Sequence, residues 1–489
     1  MAPVVVLFFL FPTLLVLVVA AFGQLAGKDD GWRKRGLRLP PGTMGWPLVG
    51  ETLSFGKIHP STSIGDYLEE HIHKFGKIFK ANLFASQAVV SVDAELNRFV
   101  MLNDGRLFEP CTPKGVLDIL GHATPMALSG DLHRYIKSLS VDFMGIGRMK
   151  SYFLPDAERY ITETLASWEE GTPFQAKEEA SKMMFNLMVK NVLSMKAGVP
   201  ETERLRKLYM SFMKGVIALP LNFPGSAYKK AVEARKVILG VINELMKERI
   251  QNRRDGTDDI GEADLLGFVL EQSNLDAEQF GDLLLGLLFG GHETSATAIT
   301  LLIYFLHDCP LAVQQLREEH MEIVRMKRQR GETAALTWED YKLMEFSQCV
   351  VRETLRLGNV VKFIVRKAST DIKFKGYDIP KGWTVLPILT AAHVDPTAYE
   401  NVHKFDPWRW QTQTGSTSKA LNDNYMPFGL GLRNCAGLQL AKLEIVVFLH
   451  HLVLNFDWEL AEPDSPVASP FPEFPRGLPI KVRRLSLLQ

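Results

Sequence analysis

The chain is poor in cysteine and carries no excess of either charge. It has four cysteines in 489 residues, and no two of them form a Cys-x-x-Cys pair, which argues against a cysteine-rich zinc site or a disulfide scaffold. Lysine plus arginine and aspartate plus glutamate are equal at 56 each, whereas a nucleic-acid-binding protein normally has a basic excess. We therefore expect no nucleic-acid partner. The length allows either about three domains or one large enzyme core.

Long apolar runs are also scarce, and the one that can cross a membrane lies at the amino terminus. Residues 4–22 contain no charged side chain, and a helix of that length extends over roughly 28 Å, about one hydrocarbon core. A cleaved secretory signal is the alternative, but it would begin with basic residues and have a shorter apolar run. Here the basic residues follow the run, between Lys28 and Arg38, and such residues tend to stay cytosolic. We therefore expect a single uncleaved anchor with the body of the protein in the cytosol.

Three segments are expected along the chain. Residues 1–27 form the membrane anchor, and residues 28–50 form a basic hinge rich in proline and glycine. Proline fixes φ and glycine permits tight turns, so the hinge either holds the body at a set angle to the bilayer or is a plain linker. Residues 51–489 form one globular body without short-period repeats or low-complexity tracts.

The hydrophobic pattern of this body predicts a mainly α fold with a minor β-sheet. Helical periodicity covers residues 201–217, 228–253, 277–307, 310–326, 347–357 and 436–454. Strand-like runs cover residues 77–81, 88–92, 371–374 and 384–387. The turn-forming residues 379–382 stand between the last two runs and predict a small hairpin. Residues 253–264 are expected to form an exposed loop.

A glycine-rich segment at residues 426–437 surrounds one cysteine. Glycines on both sides of Cys435 let the backbone pass close to a flat object. We expect Cys435 to lie at the start of the following helix, where the helix dipole favours the thiolate, the form of cysteine that binds iron. Arg433 is placed to pair with a carboxylate of the same ligand. The alternative is a buried, inert cysteine beside a glycine turn.

The full spacing Phe-x-x-Gly-x-Arg-x-Cys-x-Gly, from Phe428 to Gly437, resembles the haem-binding loop of cytochrome P-450 monooxygenases. The resemblance implies a cytochrome P-450 fold, in which residues 51–489 form the haem-thiolate catalytic domain behind an N-terminal transmembrane helix. It also implies haem b as the cofactor, with Cys435 as the metal ligand and with Arg433 and Phe428 as cofactor-binding residues. A thiolate ligand pushes electron density towards the iron and favours cleavage of the O–O bond.

A second motif supports this resemblance. Glu353 and Arg356 stand at i and i+3 on one helix face, and Arg409 follows among aromatic residues downstream. In the resembled family such a set locks the core behind the cysteine loop. We therefore assign the three residues to structure and not to chemistry. Breaking a buried set of this kind by removing one partner costs about 3–5 kcal/mol.

The third motif lies within the helix expected at residues 277–307. Gly290, Gly291 and Thr294 are locally unfavourable in a helix, and such a conflict often marks a functional site. By the resemblance, the small residues make room for dioxygen and the Thr294 hydroxyl relays protons. Glu293 is its acid–base partner or, alternatively, a structural hydrogen-bonding residue. A zinc site is excluded because the HExxH pattern needs histidine where Ala296 stands.

Three further residues are expected to contact the haem propionates by family position. His133 and Lys137 occupy the places of the tryptophan and arginine in the family's W-x-x-x-R helix, so the bidentate geometry of arginine is lost there. Arg366 is the third candidate. The alternative for each is an ordinary solvated side chain.

Electrons must come from a partner, because the sequence has no flavin or nicotinamide motif. Gly429-x-Gly431 lacks the third glycine of the dinucleotide fingerprint, since Asn434 stands in its place. The resemblance implies an NADPH-dependent flavoprotein reductase in the endoplasmic reticulum membrane. Basic residues near the cysteine segment, among them Arg433, Lys442 and Lys137, are candidates to face it.

Four segments resemble the plant sterol hydroxylases of brassinosteroid synthesis: residues 39–51, 352–359, 405–410 and 448–453. The similarity extends from about residue 39 onward and implies hydroxylation of a sterol side chain, typically at C-22, in campesterol- or cholesterol-type sterols. Expected pocket linings are residues 107–127, 205–223, 284–291 and 359–364, where Lys362 is an unexpected charge. Two alternatives remain, a haem-thiolate isomerase or lyase acting on lipid hydroperoxides and a non-catalytic haem or sterol carrier.

Overall fold

The structure is a computed structural model, and it describes residues 36–46, 50–257, 263–411, 421–469 and 471–486. The expected anchor at residues 4–22 and much of the hinge lie outside these residues. Within them, Leu438–Asn455 is long and apolar enough to cross a membrane, although the sequence indicated no second span. Two thirds of that helix is buried inside the protein (67%), as expected for a core helix.

The described part of the chain is mainly helical, as the sequence predicted. The helices are α1 (Thr52–Phe55), α2 (Asp66–Phe75), α3 (Ala94–Leu102), α4 (Lys114–Leu120), α5 (Gly130–Phe143), α6 (Ile146–Arg148), α7 (Leu154–Ala166), α8 (Ala176–Leu193), α9 (Pro200–Val216), α10 (Ala227–Arg254), α11 (Leu265–Gln272), α12 (Ala277–His307), α13 (Pro310–Arg330), α14 (Trp338–Leu343), α15 (Glu345–Gly358), α16 (Leu389–His393) and α17 (Leu438–Asn455). A π-helical turn at Met149–Phe153 joins α6 to α7, and short 3₁₀ turns occur at Pro407–Trp410 and Gly431–Arg433.

Local sequence signals set the ends of the longest helix, α12, which has the predicted bounds. It begins with a capping box, in which the Asp276 side chain accepts the Gln279 backbone N–H and the Gln279 side chain accepts the Asp276 N–H. This exchange satisfies two of the donors that the first turn of a helix leaves free. The next helix, α13, begins with Pro310 in its first turn, where the missing N–H costs nothing.

The strands form small sheets, of which one has five strands. The strands are β1 (His59–Pro60), β2 (Ile78–Leu83), β3 (Ser86–Ser91), β4 (Phe108–Pro110), β5 (Phe174–Gln175), β6 (Arg366–Ala368), β7 (Ile372–Phe374), β8 (Tyr377–Ile379), β9 (Thr384–Pro387), β10 (Phe456–Leu460), β11 (Val467–Ala468), β12 (Pro472–Glu473) and β13 (Pro479–Arg484). The largest sheet has the order β2-β3-β9-β6-β4, in which β3 and β9 are parallel.

The predicted hairpin between residues 371–374 and 384–387 is wrong. β7 pairs instead with β8 through a turn at Lys375–Gly376, where both residues have positive φ. The expected turn at residues 379–382 does form, since the Trp383 N–H binds the Pro380 carbonyl at 3.1 Å. It leads β9 into the large sheet, because β9 is buried along its whole length and pairs there with β3 and β6.

Helix α12 lies at the centre of the main hydrophobic core. It packs against α8 on one side and against α15 and α17 on the other. From Ser295 to Ile303 every residue is buried. The cysteine segment precedes α17, so the packing of α12 against α17 holds that segment close to the middle of the core.

Candidate functional site

An open face interrupts the buried surface of α12. Gly290 and Thr294 are exposed in the middle of this core helix, and a Cβ added at Gly290 would meet nothing within 4 Å. Gly286 lies one turn earlier on the same face and is covered by Thr124, since residues four apart share a helix face. The Thr294 hydroxyl donates a hydrogen bond to the Gly290 carbonyl at 2.6 Å. The hydroxyl oxygen therefore keeps its lone pairs free at the edge of the open space.

The cysteine segment folds as a turn before α17, and Cys435 is not a buried residue. Its side chain is exposed, while its backbone N–H binds the Phe428 carbonyl at 2.9 Å. Gly431 has φ +67°, and a Cβ there would lie 2.6 Å from the Met101 carbonyl oxygen. Only glycine fits this close approach, which fixes the segment against α3. The alternative of an inert buried cysteine is therefore wrong.

Two expectations for Cys435 need correction. The helix begins at Leu438, so the cysteine lies in the preceding turn and not at the helix start. Surrounding protein raises the pKa of the Cys435 thiol by desolvation, although the Gly437 N–H and the Lys137 ammonium act in the opposite direction. The polypeptide alone therefore does not favour the thiolate. A bound metal ion supplies the missing positive charge, because a coordinating thiol is deprotonated outright.

A cluster of basic side chains lies beside the cysteine segment. The buried Asp104 carboxylate accepts a hydrogen bond from the Arg433 guanidinium at 2.7 Å and a second from Arg366. His133 lies within range of both arginines and of Lys137, and burial together with the Arg433 and Lys137 charges lowers its pKa to about 4. The structure thus brings together the four residues expected to bind propionates. Sequence reasoning missed Asp104, because an isolated aspartate in a loop carries no spacing pattern.

The basic cluster fits a ligand with two carboxylates. The guanidinium groups of Arg366 and Arg433 carry two positive charges against the single negative charge of Asp104, and the Lys137 charge acts on His133 in the same cluster. The His133 Nδ1 atom is buried and finds no hydrogen-bond partner within the described part of the chain, and such atoms are rare in native structures. An anionic group would balance the excess positive charge and would give the His133 ring a hydrogen-bond partner. The two propionates of a haem are groups of this kind. The residues present therefore fit the cofactor that the resemblance implies.

Two of the basic residues are poorly placed to face a redox partner. The Arg433 side chain is only 9% exposed, and its Nε, Nη1 and Nη2 atoms each donate to an oxygen inside the protein. Lys137 donates to the Leu432 carbonyl at 2.6 Å and to the Asn434 side chain. These contacts fix the cysteine segment from the side of α5. The expectation that Arg433 faces a partner is therefore wrong.

A short loop after α4 is clamped at both ends and covers part of the open face. Its first contact is the Ala123 N–H, which binds the buried Asp282 carboxylate of α12 at 2.9 Å. Its other contacts are the Pro125 and Leu128 carbonyls, which both accept from the Arg433 guanidinium. The loop therefore joins α12 to the cofactor-binding arginine. Residues within the expected lining 107–127 thus do reach α12.

The structure gives Glu293 and Thr294 different partners. The Glu293 carboxylate binds the Lys177 ammonium of α8 at 2.7 Å, and Lys177 also donates to the Thr297 hydroxyl at 2.8 Å. About a third of the Glu293 side chain is exposed (37%). Glu293 thus stands between a cation on α8 and the open face that begins at its chain neighbour, Thr294. Lys177 was not identified from the sequence, because it lies 116 residues away.

A buried carboxyl group links α12 to α17. Glu444 is fully buried and accepts a hydrogen bond from the Ser295 hydroxyl at 3.2 Å. Burial raises the pKa of Glu444 to about 8, against the effect of the Ser295 bond, so the carboxyl group is mostly protonated at neutral pH. This residue was also missed, although a glutamate within the apolar run of α17 is a signal that could have found it.

The predicted structural set does assemble. Glu353 and Arg356 form a bidentate pair at 2.8 and 2.9 Å, and both side chains are 0% exposed. Arg409 and the Trp410 ring N–H also donate to the Glu353 carboxylate, at 3.0 and 2.9 Å. One carboxylate therefore holds α15 against the 3₁₀ turn at Pro407–Trp410.

Hydrogen bonds connect this set to the cysteine segment through His393. The Arg356 guanidinium donates to the His393 carbonyl at 2.7 Å. The His393 Nε2 atom accepts the Met426 N–H at 3.1 Å, so its Nδ1 is protonated and donates to the Asn359 side chain at 2.8 Å. Burial and the Arg356 charge lower the pKa of His393 to about 3, so the ring stays neutral. The set therefore supports the first residue of the cysteine segment.

Lys362 is buried, and its ammonium group binds backbone. It donates to the Ser61 carbonyl at 2.9 Å and to the Ser63 carbonyl at 2.7 Å. Burial lowers the pKa of Lys362 to about 7. These bonds explain the unexpected charge at this position, because the two carbonyls satisfy the buried ammonium group. They also join the segment after α15 to the turn after β1.

Comparisons with known proteins agree with this geometry. The family model described as cytochrome P-450 matches residues 40–483. A cholesterol 16,22-dihydroxylase of Paris polyphylla is 70% identical over 487 residues, which cover 100% of each chain. A steroid (22S)-hydroxylase of Brachypodium distachyon is 49% identical and covers 98% of this chain and 96% of its own. The structure of retinoic acid-bound cyanobacterial CYP120A1 has a TM-score of 0.81 at 27% identity, and it covers 92% of this chain and 100% of its own.

The match extends over almost the whole described body, and the basic cluster and the exposed cysteine lie within it. The chain therefore belongs to the cytochrome P-450 family, and it is a monooxygenase whose cofactor is a haem with a cysteine thiolate on its iron.

Proposed function

We propose that the protein hydroxylates the side chain of a cholesterol- or campesterol-type sterol at C-22, using dioxygen and electrons from an NADPH-dependent flavoprotein reductase. The observation that carries this proposal is the similarity over the full chain to curated enzymes that hydroxylate cholesterol or steroids at C-22. The product belongs to steroid or brassinosteroid biosynthesis.

The cofactor site uses the residues gathered around the open face. Cys435 provides the thiolate ligand, and Phe428 supports it because its carbonyl holds the Cys435 N–H. His133, Lys137 and Arg366 bind the propionates together with Arg433. When bound, the haem supplies the oxygen-activating chemistry, and the protein contributes orientation, exclusion of water and protons.

Proton delivery is assigned to Thr294 and Glu293. The Thr294 hydroxyl lies at the open face and donates its hydrogen bond to the Gly290 carbonyl. Its oxygen can therefore accept a proton from a donor in the open space while the hydroxyl passes on the proton it already holds. Glu293 holds the next proton at the boundary to α8, where Lys177 keeps its carboxylate in place.

The protein works at a membrane in this proposal. Residues 4–22 form a single-pass anchor in the endoplasmic reticulum, the catalytic domain faces the cytosol, and the sterol enters from the bilayer. An apolar substrate suits the stretch of α12 before Gly290, where Leu287 and Phe289 are only partly buried.

A second candidate reaction is hydroxylation of the same sterol at both C-16 and C-22. The relative from Paris polyphylla that carries this activity in its name is 70% identical to this chain, whereas the relatives named for C-22 alone are 49–52% identical.

The test is an assay in yeast microsomes that contain the full chain and a plant reductase. Cholesterol and campesterol are offered separately, and mass spectrometry locates the new hydroxyl groups. NADPH-dependent product with a hydroxyl at C-22 is expected, and a further hydroxyl at C-16 would select the second candidate. Hydroxylation confined to the ring system, or no sterol product at all, would contradict the proposal.

The same microsomes separate the two other hypotheses. Conversion of a lipid hydroperoxide without NADPH would identify an isomerase or lyase. A thiolate-type spectrum of the reduced, carbon-monoxide-treated protein without NADPH consumption would identify a carrier. We expect neither result, because the exposed Thr294 serves no purpose in a reaction that needs no proton delivery.

Replacing Thr294 by alanine is expected to separate electron consumption from product formation. The carbon monoxide spectrum should be unchanged, while sterol product per NADPH consumed should fall by about tenfold or more, since positioned acid–base groups typically contribute at least that much. Thr300→Ala is the matched control. Thr300 lies on the same helix and also donates to a helix carbonyl, at 2.8 Å, but it is fully buried. Equal coupling in the two variants would exclude the relay.

A further inference from the structure

A buried histidine lies directly behind the proposed proton relay. His292 precedes Glu293 in α12, and its side chain is only 1% exposed. The ring projects away from the open face and packs between α8 and α9, with the Phe185 ring 6.0 Å and the Tyr209 ring 5.3 Å away. The His292 ring has no part in the proposed haem site or in the proton relay described above.

The hydrogen bonds of His292 indicate which ring nitrogen carries the proton. The Nε2 atom lies 3.0 Å from the Ser181 carbonyl oxygen and 2.9 Å from the Ser181 hydroxyl. A carbonyl oxygen can only accept, so the contact with the Ser181 carbonyl favours the tautomer in which Nε2 is protonated and donates. In a neutral ring the Nδ1 atom is then an acceptor with a free lone pair. This atom is buried and has no hydrogen-bond partner among the residues that the structure describes.

The Nδ1 atom of His292 lies near the relay carboxylate. The distance between His292 Nδ1 and Glu293 Oε2 is 3.8 Å, while the other carboxylate oxygen, Oε1, is held by Lys177. The two oxygens of Glu293 thus have different neighbours. Oε1 faces the Lys177 cation, and Oε2 faces the His292 Nδ1 acceptor. A proton on Oε2 would find an acceptor after a small side-chain rotation, whereas a proton on Oε1 would face an ammonium group.

Burial keeps the His292 ring neutral, and the charges around it act in both directions. Burial lowers the pKa of His292 to about 4, with Lys177 and Arg206 acting in the same direction and Glu293 against them. The Tyr209 hydroxyl, from α9, is also buried without a partner, and its pKa is raised by burial and by the Glu293 charge. At neutral pH the imidazole therefore carries a single proton, on Nε2, and its Nδ1 atom is an acceptor.

We propose that His292 is a positioning residue for proton delivery, which accepts at Nδ1 a hydrogen bond from the protonated Glu293 carboxyl group. When Glu293 takes up a proton at Oε2, the new O–H is held by His292. When Glu293 releases that proton towards Thr294, it returns to the carboxylate paired with Lys177, and no electrons are transferred. This inference rests on the proposed relay role of Glu293 and Thr294, and it explains how a carboxylate beside an ammonium group can still be loaded with a proton.

Two substitutions at this position remove different halves of the ring. In His292→Gln the side-chain amide can reach Ser181 as Nε2 does, but no acceptor remains near Glu293. In His292→Asn the amide oxygen stands near the Nδ1 position, while the bond to Ser181 is lost. If His292 is purely structural, the glutamine variant should keep more activity than the asparagine variant. If His292 positions Glu293, the asparagine variant should keep more.

The measurements are made on the haem-loaded full chain with reductase. We expect sterol product per NADPH to fall by about tenfold in His292→Gln, in the range of a lost acid–base contribution, and by a smaller factor in His292→Asn. The solvent isotope effect on turnover should rise in the glutamine variant alone. The reverse order of the two variants, or equal coupling in both with an unchanged isotope effect, would overturn the proposal.

A second readout does not depend on turnover. Nitrogen NMR of ¹⁵N-histidine-labelled protein, in the reduced carbon monoxide form, reports the protonation of each ring nitrogen, and His292→Asn assigns the resonance among the twelve histidines. We expect protonated Nε2 and bare Nδ1. A protonated Nδ1 would overturn this inference and leave the proposed function intact, whereas wild-type protein that forms no hydroxysterol would overturn the proposed function whatever the tautomer.

Discussion

Cys435→Ala is expected to abolish the thiolate-type absorption of the reduced, carbon-monoxide-treated protein and to reduce sterol hydroxylation by at least about a thousandfold. The thiolate is the group that favours O–O cleavage, and no neighbouring side chain of the segment replaces it. The effect should be confined to chemistry. The polypeptide should keep its fold, because the Cys435 N–H bond to the Phe428 carbonyl and the close approach of Gly431 to Met101 are backbone contacts that the substitution leaves in place.

The control is Cys349→Ala, which removes a partly buried cysteine of α15. Its thiol pKa is raised by burial to about 11, so it stays protonated and is no candidate ligand. We expect its spectrum and activity to match those of the wild type. A thiolate-type spectrum that survives in Cys435→Ala would mean that another residue binds the iron, and the cofactor assignment would have to be abandoned.

Glu353→Gln is expected to give the largest loss of stability, about 3–5 kcal/mol, because it leaves buried cations without their counter-charge. The Glu353 carboxylate accepts from both Arg356 and Arg409 as well as from Trp410. An amide in its place offers one acceptor oxygen and turns an N–H group towards a guanidinium. The loss should appear as a lower midpoint of thermal unfolding.

Haem retention should fall in the same variant, since Arg356 supports His393 and His393 supports Met426. The matched control is Glu322→Gln, which breaks an exposed i, i+3 pair with Arg325 on α13. Solvent screens that pair, so we expect no change in the unfolding midpoint or in haem content. If Glu353→Gln unfolds like the control variant, the set does not lock the core.

Much of the site was accessible from sequence because its signals are local. The bounds of α12 follow from its cap and its periodicity, and the cysteine segment is recognised by the spacing of its glycines around Arg433 and Cys435. Glu353 and Arg356 are one helical turn apart, so their pairing could be predicted. The cysteine motif spans residues 428–437 and the pair spans residues 353–356, so both are encoded in short stretches of the chain.

The remaining partners are distant in the chain and carry no spacing pattern. Asp104 meets Arg433 across 329 residues, and Lys177 meets Glu293 across 116. The hairpin error has the same origin, because turn residues show where a strand ends but not which strand it joins. The parallel pairing of β3 with β9 is set by burial of both strands, and only the folded core determines it.

The clamp on the loop after α4 limits which changes in this loop the protein can tolerate. The loop is fastened by the Ala123 N–H at one end and by the Pro125 and Leu128 carbonyls at the other, all of them backbone groups. Substitutions of side chains between these anchor points leave the fastening intact, whereas an insertion or deletion would pull Arg433 away from Asp104. New regiochemistry should therefore arise by exchanging residues at constant loop length.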